Sequence, residues 1–286
     1  MTYSAKAMQV GLQVSRIFIN HSKFSDAIEA VGHSLHLGNG TDTFSGVRVI
    51  APSGTGKSLL LECIKKNVRR WPMLNVDMPI IHTSLKETPN VSQIQDGLLK
   101  NFNYGLSGAY RRSNNNEVNN ILVTSIKQFK VRGIALDEFQ QVFLANGTSV
   151  SLPVIDWLKR LMNLTGVPAI LLGTEQLERL VTTDPQLTTR IPTTIHLRPF
   201  KYDEEWVGFL KAFAQKSLEI DIHCIHKELS REFFLCTNGV ARIFKTVLVQ
   251  AVMIAIDEDK SQLDRSHLRL AFQRYVGEES ESENPF

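Results

Sequence analysis

Two short stretches carry residue types suited to phosphate chemistry. The first runs Ala51-Pro52-Ser53-Gly54-Thr55-Gly56-Lys57-Ser58-Leu59. It nearly fits the P-loop pattern of glycine, four residues, then Gly-Lys-Ser/Thr, with Ala51 where the first glycine usually stands. Gly54 and Gly56 allow the backbone to curl so that its N–H groups face anionic oxygens. A helix beginning at the loop adds a favourable dipole. Lys57 has the reach for the β- and γ-phosphates of a nucleotide, and the Ser58 hydroxyl suits Mg²⁺. Residues 51–59 are therefore the expected nucleotide contacts, against the plainer reading of a glycine-rich turn.

The second stretch is "GIALDEFQQV", in which Asp137 and Glu138 close a short apolar run. Asp137 would hold the metal and Glu138 would activate the attacking water. An Asp-Glu pair also occurs at helix starts, where acidic groups suit the dipole. Three further residues complete the candidate site. Thr174, after the run "PAILLG", faces either the γ-phosphate or a plain helix cap. Arg190, before the run "TIHL", is an arginine able to enter a neighbouring subunit's site, or a surface ion pair. Arg242, early in a later helix, senses bound nucleotide or is simply solvated or DNA-facing.

These residues need elements to carry them. Short apolar runs at 47–51, 79–85, 133–137, 168–173 and 194–197 alternate with stretches of helical spacing such as "SQIQDGLLKNF" and "VIDWLKRLMNL". That alternation predicts an α/β fold with a five-stranded parallel sheet flanked by helices. Beyond Pro199 the pattern is helical throughout. The expected organisation is a nucleotide-binding core over 1–199, a helical lid over 200–277 and a disordered acidic tail over 278–286.

The composition sets limits. The chain has 286 residues and a net charge of +3, so nucleic-acid contact would be a local patch. Lys100, Arg111 and Arg112 in one cluster, and Lys127, Lys130 and Arg132 in another, are the candidates to meet DNA phosphates, or else a solvated surface. The basic "KKNVRR" segment instead complements a helix C-terminus. No zinc-finger or helix-turn-helix pattern stands out, so any binding would be sequence-independent. Cys63, Cys224 and Cys236 share no metal-like spacing, and the eight histidines are scattered. No apolar run reaches the ~20 residues of a membrane span, and no signal peptide is evident. The expectation is a cytoplasmic protein with no membrane partner.

The motifs "APSGTGKS", "GIALDEFQQV", "AILLGTEQL", "QLTTRI", "HLRPFKYDEEWVGFL" and "CTNGVARIFKTVLVQA" occur in this order. Together with "RIFINHSKFSDAIEAV" and "HTSLKETPNVSQIQDGLL", they resemble the TniB/TnsC family of AAA+ ATPases over nearly the whole chain. That family regulates transposition in Tn7-like and Tn5053-like elements, including CRISPR-associated ones. The resemblance implies a P-loop AAA+ core with a C-terminal helical lid, using ATP and Mg²⁺. It places Walker A on Lys57 and Ser58, Walker B on Asp137 and Glu138, sensor 1 on Thr174, the arginine finger on Arg190 and sensor 2 on Arg242. It further implies a ring or filament of identical subunits around duplex DNA. That oligomer would link a TniQ-like target-selection protein to a DDE transposase of the TnsB or TniA type. A helicase loader shares most of these motifs and is the alternative; a nucleotide-gated scaffold that binds no DNA is a third.

Overall fold

A computed structural model describes residues 2–41, 43, 45–68, 80–103, 115–144, 148–216, 218–277 and 283–286. Its helices run in the order α1 (Ala5–Arg16), α2 (Ser22–Gly40), α3 (Lys57–Val68), α4 (Val91–Leu99), α5 (Asn115–Gln128), α6 (Gln141–Leu144) and α7 (Thr148–Thr165). They continue with α8 (Leu180–Thr183), α9 (Pro185–Arg190), α10 (Glu204–Ala214), α11 (Ser230–Thr237), α12 (Ala241–Asp257) and α13 (Arg265–Val276). The strands are β1 (Val47–Ile50), β2 (Ile80–Ser84), β3 (Gly133–Asp137), β4 (Ala169–Gly173) and β5 (Thr193–His196).

All five strands pair in parallel in the order β2-β3-β4-β1-β5. Parallel strands need covering on both faces, and the side chains divide accordingly. Val47 and Val49 of β1, Ala135 of β3, and Ile170 and Leu172 of β4 meet Phe24, Val31 and Leu35 of α2 and Leu60 and Ile64 of α3. Ile134, Leu136, Ala169 and Leu171, one step out of phase, meet Leu98 of α4, Leu122 and Ile126 of α5, and Leu158 and Leu161 of α7. Each Leu or Ile so buried contributes roughly 1.5–3 kcal/mol. The free edge of β2 is blunted: the Asn101 amide accepts from His82 N–H at 3.2 Å and donates to the His82 carbonyl at 2.9 Å. The side chain stands in for a neighbouring strand at that residue.

The chain divides into two compact units, Lys23–Leu197 and Met1–Ser22 with Arg198–Phe286. These bounds differ from the expected 1–199 core at its N-terminus. Ala7, Val10 and Val14 of α1 belong to the apolar core of the C-terminal helices. A Cβ on Gly11 would meet the Met253 sulfur at 2.6 Å, so α1 lies close on α12. Lys245 Nζ closes the arrangement, donating to the Ser15 carbonyl at 2.9 Å and the Ile17 carbonyl at 2.7 Å. Orphan carbonyls at the end of α1 are thereby satisfied by a cation from α12.

The helical unit centres on aromatic rings. Trp206, Phe209 and Phe244 pack with ring centroids 5.5–5.9 Å apart, Phe213 lies 6.2 Å from Phe209 and 5.2 Å from Phe244, and Trp206 Nε1 donates to the Ser230 carbonyl at 2.9 Å. The acidic end departs from the expected disorder over 283–286. Phe286 is 2% exposed, its ring lies 5.1 Å from Phe233, and its carbonyl accepts from Arg269 Nε at 3.1 Å. An apolar ring outweighs the acidic residues before it in deciding where this segment goes.

Candidate nucleotide site

The loop after β1 turns on Gly54 at φ 85° and Gly56 at φ 101°. Only glycine takes such angles without strain, and Phe24 stands 3.4 Å from where a Gly56 Cβ would be. Thr55 folds the turn back, its N–H and hydroxyl both donating to the Pro52 carbonyl, at 3.3 Å and 2.8 Å. α3 starts at Lys57, so its positive end opens at the loop, with Ser58 and Leu59 exposed on the first turn. Ala51, at the position the P-loop pattern gives to its first glycine, is fully buried, and its N–H donates to the Gly173 carbonyl at 2.8 Å. Its methyl sits in the apolar core, and its amide serves β4 rather than a ligand.

The strand order inserts β4 between β1 and β3, and all three end on the same side. The carboxyl ends of parallel strands are where open α/β sheets hold ligands. There Lys57 Nζ donates to Glu138 Oε1 and lies 3.4 Å from Asp137 Oδ1. One ammonium thus meets two carboxylates contributed by another strand. Glu138 sits in the left-handed region at φ 56°, and its N–H donates to Asp137 Oδ1 at 2.8 Å. Burial raises the Glu138 carboxyl, but the bonds from Lys57 and Gln140 and the Lys57 charge outweigh it, so it titrates below the ordinary carboxylate value.

Thr174 follows β4 beside this cluster. It caps the 3-10 turn Glu175–Arg179 by position, but its side chain makes no capping bond. Its N–H instead donates to Gln140 Oε1 at 3.3 Å. Gln140 escaped the sequence reading. It bridges Glu138 to the Thr174 turn, and its only sequence signal is being a polar residue two places after Glu138.

Arg190 ends α9, and its Nη1 donates to the Gln186 carbonyl at 3.0 Å. It precedes β5, which runs parallel to β1. It therefore stands at the amino end of the sheet, the opposite end from its own loop. Asp184 caps α9 through a 2.6 Å bond from Leu187 N–H and pairs with Lys159 at 2.8 Å. Arg242 is exposed on the first turn of α12 in the helical unit.

The basic candidates separate. Lys127, Lys130 and Arg132 line one concavity of about 550 Å³ with Thr41, Thr43 and Asn163. It lies at the amino end of β3, again opposite the loop. Lys100 lines a different concavity with His82, Lys86 and Asn101. Arg111 and Arg112 lie outside the described residues.

The described residues contain no group of three or more His, Cys, Asp or Glu able to hold a metal by themselves. Burial pushes the Cys224 and Cys236 thiols up to about 12, away from thiolate reactivity. No single described helix is long and apolar enough to cross a membrane.

The fold is that of a P-loop AAA+ protein, a parallel five-stranded sheet flanked by helices with a C-terminal helical region. The chain belongs to the TniB family: the model of the bacterial TniB protein matches residues 12–202. Among solved structures it is similar to the Aeropyrum pernix ORC2 protein in its ADPNP-ADP complexes. That match has 17% identity and a TM-score of 0.70, over 93% of this chain and 73% of that one. The Aeropyrum pernix ORC1 protein in complex with DNA matches at 15% identity and TM-score 0.68, over 90% of this chain and 66% of that one. Cdc6p from Pyrobaculum aerophilum matches at 13% identity and TM-score 0.64, over 91% and 69%. No match is found among curated proteins.

Proposed function

We propose that this protein is a Mg²⁺-dependent ATPase that assembles on duplex DNA and regulates transposition. In that role it links a TniQ-like target-selection protein to a DDE transposase. The observation that carries the reading is the meeting of Lys57 with Asp137 and Glu138 at the carboxyl ends of β1 and β3, in a chain of the TniB family. The donor set suits the ligand. Glycines in the left-handed region curve a loop around anionic oxygens, and the Ser58 hydroxyl and Asp137 carboxylate are hard oxygen ligands of the kind Mg²⁺ prefers. Bound ATP supplies the phosphoanhydride whose cleavage drives the cycle. Lys57 neutralises charge on the β- and γ-phosphates, Glu138 orients and deprotonates water, and Thr174 fixes the far side of the site. The ADPNP-ADP and DNA complexes of the similar ORC proteins accord with both ligands.

Arg190 acts on the neighbouring subunit. Its place at the amino end of β5 keeps it from its own loop, and an assembled ring or filament brings it to the next one. Arg242 reports nucleotide from the helical unit, and Lys100, Lys127, Lys130 and Arg132 meet DNA phosphates. Family membership favours transposition over helicase loading. Mixing Arg190→Ala with Glu138→Gln tests the shared site. Each protein alone should hydrolyse ATP poorly, and the mixture should recover activity, since one supplies the intact pocket and the other the arginine. A mixture no more active than its parts would place the arginine elsewhere.

A further inference from the structure

The site contains one side chain that the proposed reaction does not use. Gln140 is 4% exposed and has both ends of its amide engaged. Nε2 donates to Glu138 Oε2 at 2.5 Å, and Oε1 accepts from Thr174 N–H at 3.3 Å. Only this orientation of the amide satisfies both partners, because a carboxylate cannot donate and an N–H cannot accept. The other Glu138 oxygen is held by Lys57. Both oxygens of the candidate base are therefore occupied, and so is the ammonium needed for phosphate.

We infer that Gln140 is a positioning residue that latches Glu138 onto Lys57 until nucleotide arrives, and then couples Glu138 to the Thr174 turn for hydrolysis. The inference rests on the ATPase reading above. Phosphate oxygens and Glu138 compete for one Lys57 ammonium, so anything that steadies the Lys57–Glu138 pair weakens nucleotide binding by the cost of opening it. Gln140 steadies it by fixing the second carboxylate oxygen. Once Lys57 turns to phosphate, Glu138 has an oxygen free for water while Gln140 still holds the other. The glutamate is then oriented by the same amide that touches Thr174. The left-handed backbone at Glu138 turns the chain so that Gln140 comes back beside its carboxylate. Gly173 gives the amide room: a Cβ there would lie 2.7 Å from Gln140 Oε1.

Two variants of the full chain test this independently. Gln140→Leu removes the amide. Gly173→Ala keeps it but pushes its oxygen aside, and Gly173 does not need a left-handed backbone. Nucleotide affinity is read by titrating a fluorescent ATP analogue, turnover by phosphate release, and folding by circular dichroism. Losing one charge-assisted bond from the latch should tighten nucleotide binding by about ten-fold or more. Turnover should fall by about ten-fold or more as the base loses its orientation. Gly173→Ala should move both quantities the same way by less. The affinity gain should vanish when Gln140→Leu is placed in a Glu138→Ala background, because the latch is then already gone. A folded Gln140→Leu protein that binds nucleotide no tighter than wild type would overturn the inference. So would an affinity gain that persists without Glu138. A wild-type protein that binds no nucleotide would overturn the ATPase reading and this inference with it, which separates the two failures.

Discussion

Replacing Asp184 by alanine should loosen the helix that presents Arg190. Asp184 is 8% exposed and sits at the N-cap of α9, accepting the Leu187 N–H at 2.6 Å and the Lys159 ammonium at 2.8 Å. The lost cap costs about 1 kcal/mol. Stranding one member of a buried ion pair costs about 3–5 kcal/mol, but Lys159 keeps Asp156 at 2.8 Å and is not stranded. The ion-pair share then falls to the ~1 kcal/mol of an exposed bridge. The sum, about 2 kcal/mol, lowers Tm by about 4–8 °C in a domain of this size. The pH dependence has a definite sign. Burial raises the Asp184 carboxyl, but Lys159, the Leu187 amide and the Arg190 charge outweigh it and depress its titration. Its contribution is full above the unfolded value of about 3.9 and is lost as pH falls through the lower folded value. Thermal melts of wild type and Asp184→Ala should therefore be furthest apart near neutrality and draw closer in acid, where the ion-pair share is lost. Equal melts at neutral pH, or a gap that widens in acid, would refute the reasoning.

Lys57→Ala should abolish binding of a fluorescent ATP analogue, since the charge that meets the phosphates is gone. Glu138→Gln should keep or tighten nucleotide binding yet cut phosphate release by at least about 100-fold, the lower range for losing a general base. Neutralising Lys127, Lys130 and Arg132 together should weaken duplex binding evenly across sequences. It should also flatten the slope of log affinity against log salt by about 0.9 for each phosphate no longer neutralised. Gly239→Ala should be poorly folded in circular dichroism and melting, because Gly239 has φ 72° and a Cβ would fall 2.0 Å from the Phe200 carbonyl oxygen.

The phosphate loop and the acidic pair were legible because each is contiguous, and its chemistry depends on residue type at fixed spacing. The strands were legible for a similar reason: runs such as "GIALD" and "AILLG" are buried on both faces and read as short apolar blocks. What escaped depends on residues distant in sequence. α1 reads as a plain amphipathic helix, and nothing local says that its carbonyls are capped by Lys245 or that Gly11 must clear Met253. Phe286 follows an acidic run that suggests disorder, and only the Phe233 and Phe272 rings show where it packs. Gln140 was overlooked because its role depends on a left-handed residue at Glu138, which no propensity rule assigns to glutamate. The six basic candidates looked alike in sequence, yet Lys127, Lys130 and Arg132 share a concavity that Lys100 does not.

The most direct test images the purified protein with long duplex DNA, with and without a slowly hydrolysed ATP analogue. Rings or filaments should form only when nucleotide and duplex are both present, and Lys57→Ala should form none. Nucleotide binding without assembly on duplex under any of these conditions would contradict the account.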